Sequence, residues 1–335
     1  MNSSSAPLAP AKVSRGARFS EHPLQREIVA LLLLGVAFVV GALLSKQFLD
    51  VAYQFDSTSL WIETGFIALT LTFIIVSGQI DLSVASTLAL VAGVTGILGT
   101  RFGLPFGVAC VCGLALGALL GAFNGVLVAY TKLPSLSVTL GTFALYRGLA
   151  QVLFGDQSVT GFPDWFVGID TRHLGPTPIP LPLVLFAVAA LGAGFVLHRT
   201  ILGRWTVSIG LNEAASRYSG IPVQRIQVLL FTMSGLMAAF AGLMMSSRLG
   251  VARYDMGMGL ELDAITAVVL GGTSIFGGRG TIFGTVIAMF LIGVLRTGMG
   301  LANIKVENQL VVIGGLLLFS VVVPNLMARG RSSRI

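Results

Sequence analysis

The residue types that usually carry out catalysis are few in this chain and are not arranged as a reactive group. The three histidines, His22, His173 and His198, lie far apart in sequence and lack the spacing of metal ligands. No Gly-x-Ser-x-Gly sequence is present, and no glycine is followed directly by lysine, which excludes a P-loop. We therefore expect no catalytic residues, no metal site and no cofactor bound by this chain.

The composition predicts a protein that lies in a lipid bilayer. Of 335 residues, 55% are hydrophobic and 10% are charged, and the mean hydropathy is +0.90. A soluble domain carries charges on about a quarter of its residues. The 42 glycines show no three-residue period, and they fit the close approach of helices in lipid.

Apolar runs long enough to cross a bilayer predict an all-α membrane protein with about ten spans, since a span needs about 20 mostly apolar residues. Arg147 interrupts one run, and the run with Pro105 near its start is shortened by that proline. The segment 264–276 is short, so it is either a half-length span or a re-entrant piece. The ten runs are 28–44, 64–80, 82–100, 102–131, 133–153, 174–197, 226–247, 264–276, 280–295 and 309–328.

The distribution of charge predicts the orientation of these spans. With the amino terminus in the cytoplasm, the inner segments hold thirteen basic and four acidic residues, and the outer segments hold seven basic and ten acidic residues. An excess of basic residues marks the cytoplasmic side. We therefore predict cytoplasmic termini, a flexible tail at 1–27, a transmembrane domain at 28–328 and a basic tail at 329–335. The net charge of +7 then reflects membrane topology, so nucleic acid is not expected as a partner.

Ionisable residues inside the predicted spans are scarce. Only Arg147 lies well within a span, whereas Glu63, Asp81 and Asp263 fall at span edges. Charges in the membrane are costly and usually functional, although a long arginine side chain also reaches the interface or pairs locally. An ion-coupled carrier normally buries a carboxylate, so this scarcity favours an external energy source.

Two stretches interrupt the apolar pattern in related ways, at 77–83 and at 271–279. Each joins an apolar helix to a helix rich in small residues, which fits either an internal duplication or coincidence. Such breaks expose backbone groups that must face water, protein or solute; alternatively they are tight turns that only reverse the chain. The residues that we select as a candidate pathway or gate are Gln79, Asp81, Asn124, Arg147, Thr273 and Ser274.

Four glycines recur every fourth residue in one predicted span: Gly113, Gly117, Gly121 and Gly125. This spacing places them on one helical face, where a second helix can approach closely. Helix packing explains this stripe better than direct contact with a solute.

The predicted cytoplasmic loop at 198–225 contains the signals of a short helix. Asn212 is a favourable N-cap, Glu213 lies at the positive end of the helix dipole, and the Gly220-Ile221-Pro222 sequence ends the helix. A short capped helix beneath the membrane could contact a cytoplasmic partner, or it could be only a solvated interfacial helix.

Four sequence motifs together resemble the permease subunits of bacterial ATP-binding-cassette importers of the ribose, xylose and galactose class. The motifs are SGQIDLS at 77–83, LPSLSVTLGTFALYRGLA at 133–150, GRWTVSIGLNEAASRYSGI at 203–221 and LDAITAVVLGGTSIFGGRGT at 262–281. The last two also resemble the rhamnose and autoinducer-2 branches. The chain departs from the common family pattern at Gln79 and Leu211, where glycine is usual.

The resemblance implies a role for the short loop helix and a set of partners. The family's coupling segment corresponds here to Gly203, Arg204, Asn212, Glu213, Ala214, Ala215 and Gly220. The implied partners are a cytoplasmic ATPase that binds ATP and Mg²⁺, a second permease of the same or a sister chain, and a periplasmic sugar-binding protein. The implied fold is that of an importer permease in the bacterial inner membrane, and the implied solute is a monosaccharide or a similar small polyol.

Two other functions remain as alternatives. The first is an ion-coupled secondary carrier, which the scarcity of carboxylates within spans disfavours. The second is a membrane-embedded enzyme that acts on a lipid or isoprenoid, which would need His, Asp or Glu residues converging at one depth.

Overall fold

The computed structural model describes residues 23–169, 172–316 and 318. This part of the chain is helical, with connecting turns, a longer non-helical stretch at 155–169 and 172–180, and two isolated β-bridges. Short 3₁₀ turns flank the second helix. The helices are α1 (Pro23–Leu44), α2 (Val51–Ser57), α3 (Ile62–Val76), α4 (Val84–Thr100), α5 (Phe106–Thr131), α6 (Ser135–Phe154), α7 (Leu181–Arg199), α8 (Ile201–Leu211), α9 (Glu213–Tyr218), α10 (Val223–Leu249), α11 (Leu260–Leu270), α12 (Ile282–Leu301) and α13 (Val306–Leu316).

Helix α3 forms the centre of the bundle, and every one of its residues is buried. It packs against α7, α10, α11 and α12, while α4 packs between α5, α6 and α10. A helix that is apolar on all sides belongs in the interior of a large helical protein. Outward-facing leucines and valines cover much of the surface of α1, α5, α6 and α7, as is typical of helices that contact lipid.

The chain turns lie at two ends of the bundle. We call the end that holds residues 77–83, 131–135, 200–222 and 271–281 the α9 face. Its turns are joined by a hydrogen bond from Ile80 N to Ser135 Oγ (3.0 Å) and by one from Gly278 N to Val76 O (2.8 Å). The opposite face holds residues 45–62, 101–106, 155–169, 172–180 and 250–260, where Val159 and Ala252 form a β-bridge.

Each of the ten predicted runs overlaps a helix of the described residues, and the boundaries differ by six residues or more in three places. Helix α7 begins at Leu181 rather than at 174, because residues 174–180 form a turn. Helix α11 ends at Leu270, before the glycine turn that the predicted segment included. Helix α12 extends to Leu301, past the predicted limit.

Not all of these helices satisfy the length and hydropathy of a full span. Five do so in the described part: α1, α5, α7, α10 and α12. A sixth candidate joins Val51–Leu60 to Ile62–Val76 across a bend of 59°, and α4 and α13 are shorter apolar helices. The chain is therefore a multi-pass helical membrane protein, and the count of ten spans stays a prediction.

The predicted tails are mostly outside the described residues. Helix α1 begins at Pro23, so the last residues of the predicted tail at 1–27 are already helical. Residues 1–22 and 329–335, and Pro324 near the end of the last predicted span, lie outside the described part.

Candidate functional site

The first break, at residues 77–83, places a buried carboxylate between α3 and α4. Asp81 is 1% exposed, and its Oδ1 accepts hydrogen bonds from Ser83 N (3.0 Å) and Ser83 Oγ (2.7 Å). Its Oδ2 accepts a hydrogen bond from Ser234 Oγ (2.8 Å) on α10. Asp81 therefore joins the break to α10 through hydroxyl and backbone donors.

This hydrogen-bonded chain continues from Ser83 into two further helices. Asn124 Nδ2, on α5, donates to Ser83 Oγ at 2.8 Å. The Tyr146 hydroxyl on α6 lies 3.1 Å from Asn124 Oδ1 and 3.1 Å from the Leu120 carbonyl oxygen. Asn124 is fully buried and Tyr146 nearly so, which means that the chain is shielded from solvent. We call Asp81, Ser83, Asn124, Tyr146 and Ser234 the Asp81 network.

No lysine or arginine of the described residues pairs with Asp81. The other buried carboxylates have arginine nearby: Arg248 Nη2 lies 2.8 Å from Glu63 Oε1, and Arg296 Nη2 lies 2.6 Å from Asp263 Oδ2. The sequence places Glu63, Asp81 and Asp263 at span edges, and the structure shows that these edges are buried. Hydropathy windows locate the edge of a span but do not report whether neighbouring helices cover it.

The loop between α7 and α10 contains two helices, α8 and α9. Asn212 caps α9 by accepting a hydrogen bond from Ala215 N (2.9 Å), and the helix ends before Gly220, whose φ is +83°. Glu213 accepts hydrogen bonds from Arg217 Nη2 (3.0 Å) and from Gln227 Nε2 (3.4 Å) on α10. Ala214 and Ala215 also lie in α9.

Helix α8 contributes the other residues that the family resemblance selected. Thr200 caps α8 by accepting a hydrogen bond from Gly203 N (3.4 Å), and Gly203 packs against the end of α7. Arg204, on the next position, is exposed at the α9 face.

A cavity of about 480 Å³ lies where α9 meets the first break. Its wall includes Gln79, Lys132, Glu213, Arg217 and Gln227, so it is lined by polar and charged side chains together with the turn between α5 and α6. The structure thus brings the predicted gate residue Gln79 next to the predicted coupling residue Glu213.

The second break, at residues 271–279, lies directly against the first break and α8. A Cβ atom on Gly277 would lie 2.9 Å from Gly78 Cα, and one on Gly210 would overlap the Val76 carbonyl oxygen. We call this contact of Gly78, Gly210 and Gly277 the glycine junction. Thr273 is buried in this break with no hydrogen-bond partner for its Oγ1, and Ser274 N donates to Arg279 O (2.9 Å).

Arg147 lies apart from the other predicted gate residues, toward the opposite face. Its Nη1 donates to the carbonyl oxygens of Tyr254 and Met256, the latter at 2.9 Å, and thereby joins α6 to the loop before α11. In the same loop, Arg253 and Asp255 form two hydrogen bonds of 2.9 Å each, which raise the pKa of the exposed Arg253.

The glycine stripe on α5 lies against neighbouring helices. Cβ atoms on Gly117, Gly121 and Gly125 would collide with backbone atoms of α10 around Gly235, Phe231 and Val228. A Cβ atom on Gly113 would overlap Thr95 Oγ1 of α4. The stripe therefore allows α5 and α10 to touch along their backbones.

Sequence reasoning did not select Ser83, Tyr146, Gln227 or Ser234, although each links the selected residues. A single serine or tyrosine in an apolar run carries no periodic signal, and the distance from Asp81 to Ser234 is 153 positions along the chain. Among the described residues, no group of three or more His, Cys, Asp or Glu side chains could hold a metal ion.

An all-helical chain with apolar spans, interrupted by glycine turns around buried polar side chains, has the architecture of a membrane transporter. The family model described as "Branched-chain amino acid transport system / permease component" matches residues 54–321. This chain belongs to that permease family.

Several known proteins are similar to the chain over most of its length. The "Autoinducer 2 import system permease protein LsrD" of Escherichia coli strain K12 is 39% identical over 302 residues, which is 88% of this chain and 91% of that protein. The protein of the same name from Photorhabdus luminescens is 38% identical over 301 residues, which is 88% of this chain and 87% of that protein. No solved structure matches the chain.

Proposed function

We propose that this chain is the translocation subunit of an ATP-driven importer for a monosaccharide or a similar small polyol-like solute. The family match and the names of the relatives support import through a permease. Autoinducer 2 is the first solute to test, because two relatives are named for its import.

The observation that carries this proposal is the contact between α9 and the first break. Helix α9 lies on the α9 face, and its Glu213 accepts a hydrogen bond from Gln227 of α10. Glu213 also lines the same cavity as Gln79. A partner that moves α9 would therefore also move the first break, residues 77–83, through these contacts. ATP can drive transport only if its binding favours one of two states of this subunit.

The proposed assembly adds the partners that the family resemblance implies. A cytoplasmic ATPase pair holds ATP and Mg²⁺ and contacts α9 and α8, which places the α9 face and both termini in the cytoplasm. A second permease, identical or a sister chain, completes the pathway, and a periplasmic sugar-binding protein delivers the solute to the opposite face. Gln79, the Asp81 network, Thr273 and Ser274 then lie on the cytoplasmic side of the pathway, and Arg147 lies toward the periplasmic side.

The test is uptake into vesicles that contain the complete complex. Uptake that continues after ionophores collapse the ion gradients, and stops when ATP is removed, supports the proposal. Uptake that follows the ion gradients and ignores ATP contradicts it and supports an ion-coupled carrier. One observation favours that second candidate: Asp81 is a buried carboxylate without an arginine or lysine partner among the described residues.

The Glu213→Arg variant tests the contact with the ATPase. The new arginine would face Arg217 and the positive end of α9, so we expect uptake to fall about tenfold while ATP hydrolysis continues. The matched control is Glu307→Arg, which reverses the charge of an exposed carboxylate in the first turn of α13. Normal coupling in Glu213→Arg would show that α9 is not the contact.

A further inference from the structure

Near the opposite face, two arginines, Arg147 and Arg296, and one carboxylate, Glu261, have buried atoms without a hydrogen-bond partner. Arg147 Nε and Nη2 are buried without a hydrogen-bond partner, and so is Glu261 Oε2. Glu261 is 9% exposed and interacts electrostatically with Arg147, although the two side chains do not form an ion pair in this structure. Buried polar groups in native proteins are nearly always paired, so these atoms need an explanation.

The unpaired edge of the Arg147 guanidinium has the shape that a carboxylate requires. Nη1 is already occupied by the carbonyl oxygens of Tyr254 and Met256. Nε and Nη2 carry N–H groups that point in the same direction, and such a pair binds both oxygens of a carboxylate. Arg147 can therefore keep its contact with the loop and accept a carboxylate at the same time.

Glu261 is the carboxylate available to fill this edge. Asp255, the other acidic residue that interacts electrostatically with Arg147, is held by two hydrogen bonds from Arg253. Asp263 is paired with Arg296. Glu261 Oε2 has no partner and lies in the first turn of α11.

Two glycines precede the end of helix α11 that carries Glu261. Gly257 and Gly259 precede it with φ of +69° and +88°, a backbone region that glycine reaches readily. At its other end, Gly271 packs directly on the backbone of Gly284, which leaves no room for displacement. A short helix fixed at one end and preceded by two glycines can swing at the other, and the long side chain of Arg296 can follow Asp263, which lies in the same turn as Glu261.

We propose that Arg147 and Glu261 form a bidentate ion pair in the other state of the transport cycle, when the first turn of α11 moves toward α6. This inference rests on the proposed transport function. The pair gives the second state a contact that the present state lacks, and a difference of this kind allows a partner to shift the balance between two states. In the present state, the same atoms stay unpaired.

The first experiment compares Glu261→Gln with Asp263→Asn in the complete complex. Glu261 has no ion pair to lose here, so Glu261→Gln should leave the thermal unfolding temperature unchanged or raise it, while ATP-driven uptake falls about tenfold. Asp263→Asn should lower the unfolding temperature, because Arg296 loses its partner. Wild-type uptake from Glu261→Gln, or a loss of thermal stability equal to that of Asp263→Asn, would overturn the proposal.

The second experiment measures directly how closely positions 147 and 261 approach each other. Cysteines replace Arg147 and Glu261 in a background that carries Cys110→Ala and Cys112→Ala, and disulfide formation is followed with and without a non-hydrolysable ATP analogue. We expect the rate of cross-linking to change at least fivefold between the two conditions. Equal rates would contradict the movement of α11.

These outcomes are separate from a failure of the proposed function. If the wild-type complex shows no ATP-dependent uptake, the importer assignment fails before any variant is compared. A double variant, Arg147→Gln with Glu261→Gln, completes the set: if the two residues act as a pair, its uptake should match that of Arg147→Gln alone. Additive losses of uptake in the double variant would contradict the proposed ion pair.

Discussion

The two ends of the helical bundle are held together by different chemistry. At the α9 face, the Asp81 network uses hydroxyl, amide and backbone donors, and the glycine junction brings three backbones into contact. Toward the opposite face, arginine and carboxylate side chains join the helices, as in Glu63–Arg248 and Asp263–Arg296.

The difference indicates which end can rearrange. Backbone contacts fix a single geometry because no side chain can adjust, whereas arginine side chains can exchange one acceptor for another. We therefore expect the α9 face to transmit movement as a rigid body and the opposite face to change partners during transport.

The largest effect should come from a side chain placed in the glycine junction. A methyl group in Gly210→Ala would overlap the Val76 carbonyl oxygen and approach Gly278 N, so the turns must separate at a cost of about 3 kcal/mol. Unfolding in mixed micelles measures this cost. Gly192→Ala, in an open position on α7, should not destabilise the protein. If the Gly210→Ala protein is as stable as wild type, the α9 face is not rigid at the glycine junction.

Removing the charge of one buried carboxylate at each end should distinguish the ion pairs of the opposite face from the hydrogen bonds with uncharged donors at the α9 face. Glu63→Gln replaces a buried charged partner of Arg248 with a neutral amide and should cost about 3 kcal/mol. Asp81→Asn keeps an acceptor for Ser83, and Ser234 can rotate to accept, so the loss should be about 1 kcal/mol. The same unfolding assay measures both variants. Equal losses would show that the two carboxylates are held in the same way.

The smallest effect should come from the exposed pair near the opposite face. Asp255→Asn removes the carboxylate from Arg253, but water replaces it, so we expect no measurable change in the unfolding temperature. A clear decrease would mean that charge pairs stabilise this end regardless of burial.

The helices themselves could be predicted from the sequence because hydropathy alone identifies spans. Helix α9 could also be predicted, since Asn212, Glu213 and Gly220 are local capping signals. Helix α8 and helix α2 were missed. Asp50 caps α2 by accepting a hydrogen bond from Ala52 N (2.9 Å), and this aspartate is a local signal that the hydropathy search did not use.

The assembly of the site could not be predicted, because its contacts join residues far apart in sequence. Glu63 meets Arg248 across 185 positions, and Ser234 meets Asp81 across 153. Burial of Glu63 and Asp81 depends on helices that pack over the ends of their own spans. A single sequence holds no periodic pattern that reports such contacts.

Because the glycine junction contains no side chains, it separates two properties of a transporter: which solute it recognises and how it responds to ATP. Since Gly78, Gly210 and Gly277 meet through their main chains, this junction presents no side chain that could distinguish one solute from another. Variants selected for a new cargo should therefore carry their substitutions elsewhere and keep the same mechanical response to ATP.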